Sequence, residues 1–154
     1  LTFSEPISIH LNGEQVRTIP VPPAHTDGDS FIHFVNSDVL HMGDVYRTTG
    51  YPYMDLANGG SLNGLLEALG IAIGLAGPNT KIIPGHGAVA TRAQVIAHRD
   101  MILDVKARVA ALIAQGLTTY DQVAAARPTA AYDAGMDSPE RFLRALVTEL
   151  GGRN

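Results

Sequence analysis

Ile82-Ile83-Pro84-Gly85-His86-Gly87 is an apolar run that stops at Pro84-Gly85 and delivers a histidine into a glycine-flanked turn. Two other stretches end in the same way. Val21 and Pro22 lead into Pro23-Ala24-His25-Thr26-Asp27-Gly28-Asp29, and Val39-Leu40 leads into His41-Met42-Gly43-Asp44. Each places a metal-capable side chain just past a predicted strand. A rigid sheet can aim groups from such loops at one point. Glycines beside His86 and Asp44 let the backbone turn sharply and approach closely. Two imidazoles and a carboxylate are a suitable ligand set for Zn²⁺. Taken singly, each residue has a structural reading, as a hydrogen-bonded turn histidine or a capping aspartate. The three in this order, each in its own turn, carry more weight than any one of them.

Outward from these turns the sequence alternates strands and helices. Asn12-Gly13 between Ile7–Leu11 and Glu14–Val21 is a two-residue hairpin signal, and Pro22-Pro23 ends the second strand. Phe31–Val35 and Val39–Met42 form another strand pair, turned at Asn36-Ser37-Asp38. Ser61 caps a helix from Leu62 to about Ala76. Lys81–Ile83 is a short strand. Thr91 caps a long helix to about Gln115, stopped by Gly116. Thr118–Ala126 is another helix, and Ser138-Pro139-Glu140 starts the last, which runs to about Leu150. Its Phe142, Leu143, Leu146, Val147 and Leu150 share one helical face, a surface to pack on the domain or on a neighbouring subunit.

The chain has 154 residues, 45% hydrophobic and 17% charged, with net charge −4. This is the composition of one globular domain, 1–154, and excludes a disordered chain. No broad basic surface is implied, so nucleic acid is not an expected partner. Cysteine is absent, which excludes disulfides and thiolate metal sites. No run of about 18 apolar residues is present, so a membrane span is not expected. Localisation stays open: periplasmic, secreted and cytoplasmic settings all suit a chain without thiols.

Ala24-His25-Thr26-Asp27-Gly28-Asp29-Ser30, Met42-Gly43-Asp44 and Ile82-Ile83-Pro84-Gly85-His86-Gly87 together resemble the third, fourth and fifth motifs of the metallo-β-lactamase superfamily, in kind and order. The resemblance covers roughly residues 5–115 and leaves 116–154 as a helical extension. Gly50-Tyr51-Pro52-Tyr53-Met54-Asp55 with Gly59-Gly60-Ser61 is similar to a subgroup of generic hydrolases in that superfamily. The fold implied is α/β (α+β): half of an αββα sandwich, with a mixed sheet, packed helices and a helical C-terminus. The chemistry implied is zinc-dependent hydrolysis of an ester, thioester, lactone or β-lactam in a small-molecule substrate. By the resemblance His25 completes a first zinc site, His86 helps complete a second, and Asp44 bridges the two ions and is the catalytic residue carried over.

The sequence departs from the family in one respect. The superfamily's His-x-His-x-Asp-His motif is absent; the six histidines are His10, His25, His33, His41, His86 and His98, and no two are spaced two apart. The chain therefore supplies three of the seven protein ligands the resemblance implies, and the isolated chain is expected to be inactive. Two accounts fit. The chain, which starts at Leu1, is a fragment of a longer hydrolase; or a separate polypeptide or a second copy supplies the missing groups, which makes a homodimer an option. The competing class is a non-enzymatic binding or regulatory module that keeps the fold without a metal.

Asp27 and Asp29 flank His25 and, like Asp55, either form turns or serve a metal, by orienting a ligating imidazole or by binding the ion. Tyr46, Tyr51 and Tyr53 either wall a substrate pocket or pack. His10, His33 and His41 read as local hydrogen-bonding groups. On the long helix, His98, Arg92, Arg99, Lys106 and Arg108 read as a solvated face.

Overall fold

Asn12 and Gly13 both take positive φ, 52° and 79°, the geometry of a tight hairpin turn that matches the twist of its strands. They join β1 (Ile7–Leu11) to β2 (Glu14–Pro20). The computed structural model describes residues 4–154. β3 (Ser30–Phe34), β4 (Val39–Arg47) and β5 (Lys81–His86) complete a five-stranded sheet in the order β1-β2-β3-β4-β5. The first three pairings are antiparallel and β4–β5 is parallel. That parallel pair needs a crossover, which is a short 3₁₀ turn (Leu56–Asn58) followed by helix α1 (Leu62–Leu75). Helices α2 (Arg92–Ala114), α3 (Tyr120–Ala125) and α4 (Glu140–Glu149) follow. The architecture is α+β, a mixed sheet with four helices, as the sequence implies.

Strand alternation sorts the sheet into two faces. Phe31, Leu40, Met42 and Ile82 are fully buried on one, in a core shared with Leu65 and Leu69 of α1 and Ile102 and Val105 of α2. Ile32, Phe34, Val39 and Ile83 on the other face each keep partial exposure, and Ile9 is 55% exposed. α1 is seated close to the loop after β2: a Cβ on Gly64 would lie 2.6 Å from the Pro23 carbonyl carbon, so only glycine fits there.

The caps expected at α1 and α2 hold, and α3 has one as well. Ser61 accepts from the Gly64 N–H, while Thr91 with Gln94 and Thr119 with Gln122 form capping boxes. At α4 the expectation is off by one residue. Pro139 occupies the cap position instead of the first helical turn, and Ser138 Oγ accepts the Glu140 N–H at 3.3 Å. β4 and β5 both run further than predicted. Asp44 therefore lies within β4, and His86 is the last residue of β5, where a position past each strand end is expected. Parallel pairing with a neighbour extends strands whose own sequences, broken by Gly43 and by Pro84-Gly85, look finished.

The solvated-face reading of α2 needs correction at three residues. Arg92 Nε donates to the Ile73 carbonyl at 2.9 Å and Arg99 Nε to the Leu66 carbonyl at 3.3 Å, so both tie α2 to α1. His98 is largely buried, edge-on to Tyr46 at 5.1 Å between ring centroids. Burial pushes its imidazole pKa down to about 4, helped by the nearby Arg47 cation. The apolar face of α4 packs within this chain: Phe142, Leu143, Leu146 and Val147 are buried.

Candidate metal centre

His25 sits in the loop between β2 and β3, and Asp29 shapes that loop. One Asp29 oxygen accepts the His25 N–H at 2.7 Å and the Thr26 N–H at 3.1 Å; the other accepts the Thr26 hydroxyl at 3.0 Å. Backbone bonds from Asp55 N–H to the His25 carbonyl and from Asp27 N–H to the Asn58 carbonyl, both 2.9 Å, tie the loop to the 3₁₀ turn. The His25 ring meets the Tyr53 carbonyl oxygen at 2.9 Å through Nδ1. A carbonyl can only accept, so Nδ1 carries a proton, and in the neutral ring Nε2 is the nitrogen with the lone pair. This is the arrangement that orients a ligating imidazole.

Asp44 stands where the β4–β5 register breaks. Gly43 pairs with Pro84 and Arg47 with His86, so Asp44, Val45 and Tyr46 lie opposite Gly85 alone. The extra residues push Asp44 outward at a bulge. Gly85 permits the close approach. A Cβ there would fall 2.7 Å from the Gly43 carbonyl carbon and against Asp44 Oδ1. His86 is held through its carbonyl by the Thr48 N–H at 3.0 Å, and its Nε2 lies 3.0 Å from Asp44 Oδ1.

His25, Asp44 and His86 line one cavity of about 220 Å³, together with Arg47 and Tyr53. Three separate segments of chain thus meet at one place. A second cavity of about 300 Å³ shares Arg47 and Tyr53 and extends past Tyr51 and Phe142 to Arg141. Among the described residues, no three His, Asp or Glu side chains lie close enough to hold one ion together. In chemistry the donor set suits a metal: one imidazole with a free Nε2, and an adjacent imidazole–carboxylate pair. In number and spacing it does not close a site.

Asp29 builds the His25 loop. Asp55 caps the 3₁₀ turn, and the Asn58 side-chain amide at 2.8 Å holds its carboxyl below the usual range. The Asp27 side chain packs beside Gly59, where a Cβ would lie 2.8 Å from the Asp27 Cβ. Tyr51 is buried, stacked on Phe142 at 5.7 Å, and its hydroxyl donates to Asp133 at 2.8 Å. Burial, with that carboxylate beside it, pushes the Tyr51 phenol up to about 12. The Tyr53 and His25 rings meet in a T-shaped arrangement, 5.3 Å between centroids. Arg47 is the cavity residue that the sequence reading passed over; its one signal is its place, three residues after Asp44 at the end of a strand.

Solved structures of metallo-β-lactamase-fold proteins share this architecture of a mixed sheet with a βαβ crossover. The chain is similar to a metallo-β-lactamase family protein from Thermus thermophilus, with 20% identity over 97% of this chain and 47% of that one, TM-score 0.66. It is similar to a β-lactamase domain protein from Burkholderia ambifaria, with 18% identity, 96% and 43% coverage and TM-score 0.64. It is similar to a metallo-β-lactamase from Pontibacter korlensis, with 14% identity, 67% and 48% coverage and TM-score 0.57. At these identities the likeness is one of fold. The chain spans about half the length of these structures. No family model matches the sequence, and no curated protein matches it.

Proposed function

We propose that this chain is the C-terminal half of a zinc-dependent hydrolase domain, in which His25, Asp44 and His86 contribute part of a ligand set completed from outside this sequence. The observation that supports it is the meeting of these three side chains at one cavity from the β2–β3 loop, the β4 bulge and the end of β5. Each is kept there by its own device: Asp29 under His25, the register break under Asp44, the Thr48 N–H on His86. When bound, zinc supplies Lewis acidity, lowering the pKa of a water and polarising an acyl oxygen. The residues of this chain hold and orient. The His25 Nδ1–H on the Tyr53 carbonyl would present Nε2 as a ligand, and the Asp44 carboxylate and the His86 imidazole would be the further ligands that this chain supplies. The substrates in view are an ester, thioester, lactone or β-lactam. The partly exposed sheet face of Ile32, Phe34, Val39 and Ile83 is where the other half-domain, or a second subunit, would lie.

Zinc titration by calorimetry tests this. The chain should bind zinc weakly and show no turnover alone. Alanine at His25, Asp44 and His86 together should abolish the heat of binding. Equal zinc affinity in that triple variant and in the unaltered chain sinks the proposal.

A further inference from the structure

Tyr51-Pro52-Tyr53 lies between β4 and the 3₁₀ turn, in neither a helix nor a strand. Among the described residues its backbone makes no hydrogen bond to another backbone group. Side chains from a segment distant in sequence hold it instead. Asp137 accepts the Tyr51 N–H at 2.9 Å, and Asp133 accepts the Tyr51 hydroxyl at 2.8 Å. Phe142 stacks on the Tyr51 ring, with 5.7 Å between centroids and 12° between planes. The Arg141 guanidinium lies over the Tyr53 ring at 5.4 Å. Gly50 has φ 76°, and a Cβ there would overlap the Asp137 carboxyl, so the backbone abuts that side chain. α4 is itself anchored, since Phe142, Leu143, Leu146 and Val147 are buried. Pro52 is buried between the two tyrosines, and its ring locks φ at about −65°. A displacement of Tyr51 is therefore passed on to Tyr53.

Tyr53 in turn holds the His25 ring. Its carbonyl accepts the Nδ1–H at 2.9 Å, and its own ring packs against the imidazole. The His25 backbone has separate supports in the Asp29 carboxylate and the Asp55 N–H. The direction of the ring, and the nitrogen that carries the proton, are set at Tyr53. We propose that residues 133–142, outside the three turns that carry His25, Asp44 and His86, are the element that orients the His25 ring, acting through Tyr51-Pro52-Tyr53. Asp137, Arg141 and Phe142 are positioning residues. This rests on the reading of His25 as a metal ligand and gives the C-terminal helical stretch a part in the site. An imidazole needs such a partner on its second nitrogen to present the first in a fixed direction.

The test uses the whole chain, isotope-labelled and freed of metal on a chelating resin. NMR reads the His25 ring nitrogens, assigned by their loss in His25→Gln. Asp137 is exposed, so Asp137→Ala should melt within about 3 °C of the parent. In that variant the His25 Nδ1–H signal should broaden and the ring should move from one neutral tautomer towards a mixture of two, while the His33 ring signals on β3 stay in place. Asp137→Asn keeps an acceptor for the Tyr51 N–H and loses the charge 3.9 Å from Arg47, so it should restore the parent signals. Arg141→Gln, an exposed change, should move the His25 signals in the same direction and by less. In a second arm, zinc affinity in Asp137→Ala should fall about tenfold, the lower end of the range for losing the support of a ligating imidazole. His25 ring signals unchanged in both Asp137→Ala and Arg141→Gln overturn the proposal. So do equal changes in Asp137→Ala and Asp137→Asn, which would place the effect in the charge facing Arg47. The ring signals are read without metal, so a parent chain that binds no zinc sinks the hydrolase reading while these signals still decide what orients His25.

Discussion

Nε2 of His86 and Oδ1 of Asp44 lie 3.0 Å apart across the parallel pair β4–β5, with side chains 63% and 46% exposed. A pair this open to water contributes only about 0–1 kcal/mol to folding. Its geometry therefore reflects the bulge and the Gly85 approach that bring the two together, more than any stability it confers. Asp44→Asn should leave the thermal midpoint within about 3 °C of the parent, the shift expected for up to 1 kcal/mol in a chain of this size. In the same variant zinc affinity should fall about tenfold or more, as for loss of a ligand or its orienting partner. A variant that melts much earlier, or one that binds zinc as before, contradicts this division between fold and site.

Gly85→Ala should behave in the opposite way. The new methyl would meet the Gly43 carbonyl carbon at 2.7 Å and the Asp44 N at 2.8 Å, both backbone atoms that cannot rotate aside. Relief requires β4 and β5 to move apart. The expected cost is about 1–3 kcal/mol, the range for overpacking a tight contact. Denaturant unfolding measures it, and a change below about 0.5 kcal/mol, ordinary for surface substitutions, would mean that the strands are less tightly apposed than described.

His98 gives the fold a pH dependence. Its folded pKa is about 4 against an ordinary 6.5, because burial beside Tyr46 and Arg47 disfavours the charged ring. Below 6.5 the unfolded chain takes up a proton that the folded chain refuses. The stability that His98 allows is thus present above pH 6.5 and is lost as pH falls through 6.5 towards 4. His98→Phe keeps an aromatic ring against Tyr46 and removes both the titration and the buried Nε2, which has no partner among the described residues. At pH 5 the variant should melt above the parent by about 3 °C or more; at pH 8 the gap should shrink. Parallel melting curves for the two proteins from pH 8 to pH 5 would contradict this origin.

Much of the fold could be read directly, and the reasons are local. Asn12-Gly13, Ser61 and Thr91 shape the backbone within a few residues of themselves, so sequence alone locates them. What escaped depends on neighbours distant in sequence. Parallel pairing carries β4 to Arg47 and β5 to His86, and α1 carbonyls capture Arg92 and Arg99. The same holds at the cavity. His25, Asp44 and His86 stand out because imidazole and carboxylate beside glycine turns are distinctive. Arg47 reaches the cavity only through the β4–β5 register, and the Tyr53 contribution to His25 is a backbone carbonyl, which no side-chain pattern can announce.

Asp29 supplies the sharpest separation between holding a ligand and being one. Its two oxygens accept three hydrogen bonds from His25 and Thr26, so the carboxylate is spent on the loop. Asp29→Asn keeps one acceptor oxygen and loses the charge; Asp29→Ala loses every acceptor and leaves the His25 and Thr26 N–H groups to water. If Asp29 acts through the His25 position, zinc affinity should drop in steps, modestly for Asn and about 10- to 100-fold for Ala, the range for removing an orienting partner of a metal ligand. The His25 Nδ1–H signal in NMR, bonded to the Tyr53 carbonyl in the parent, should broaden or vanish in Asp29→Ala and persist in Asp29→Asn. A metal-coordinating Asp29 would give another pattern: Asn as damaging as Ala to zinc binding, with the His25 signal intact in both. The ring signal moves only if the loop moves, and that makes it the deciding observation.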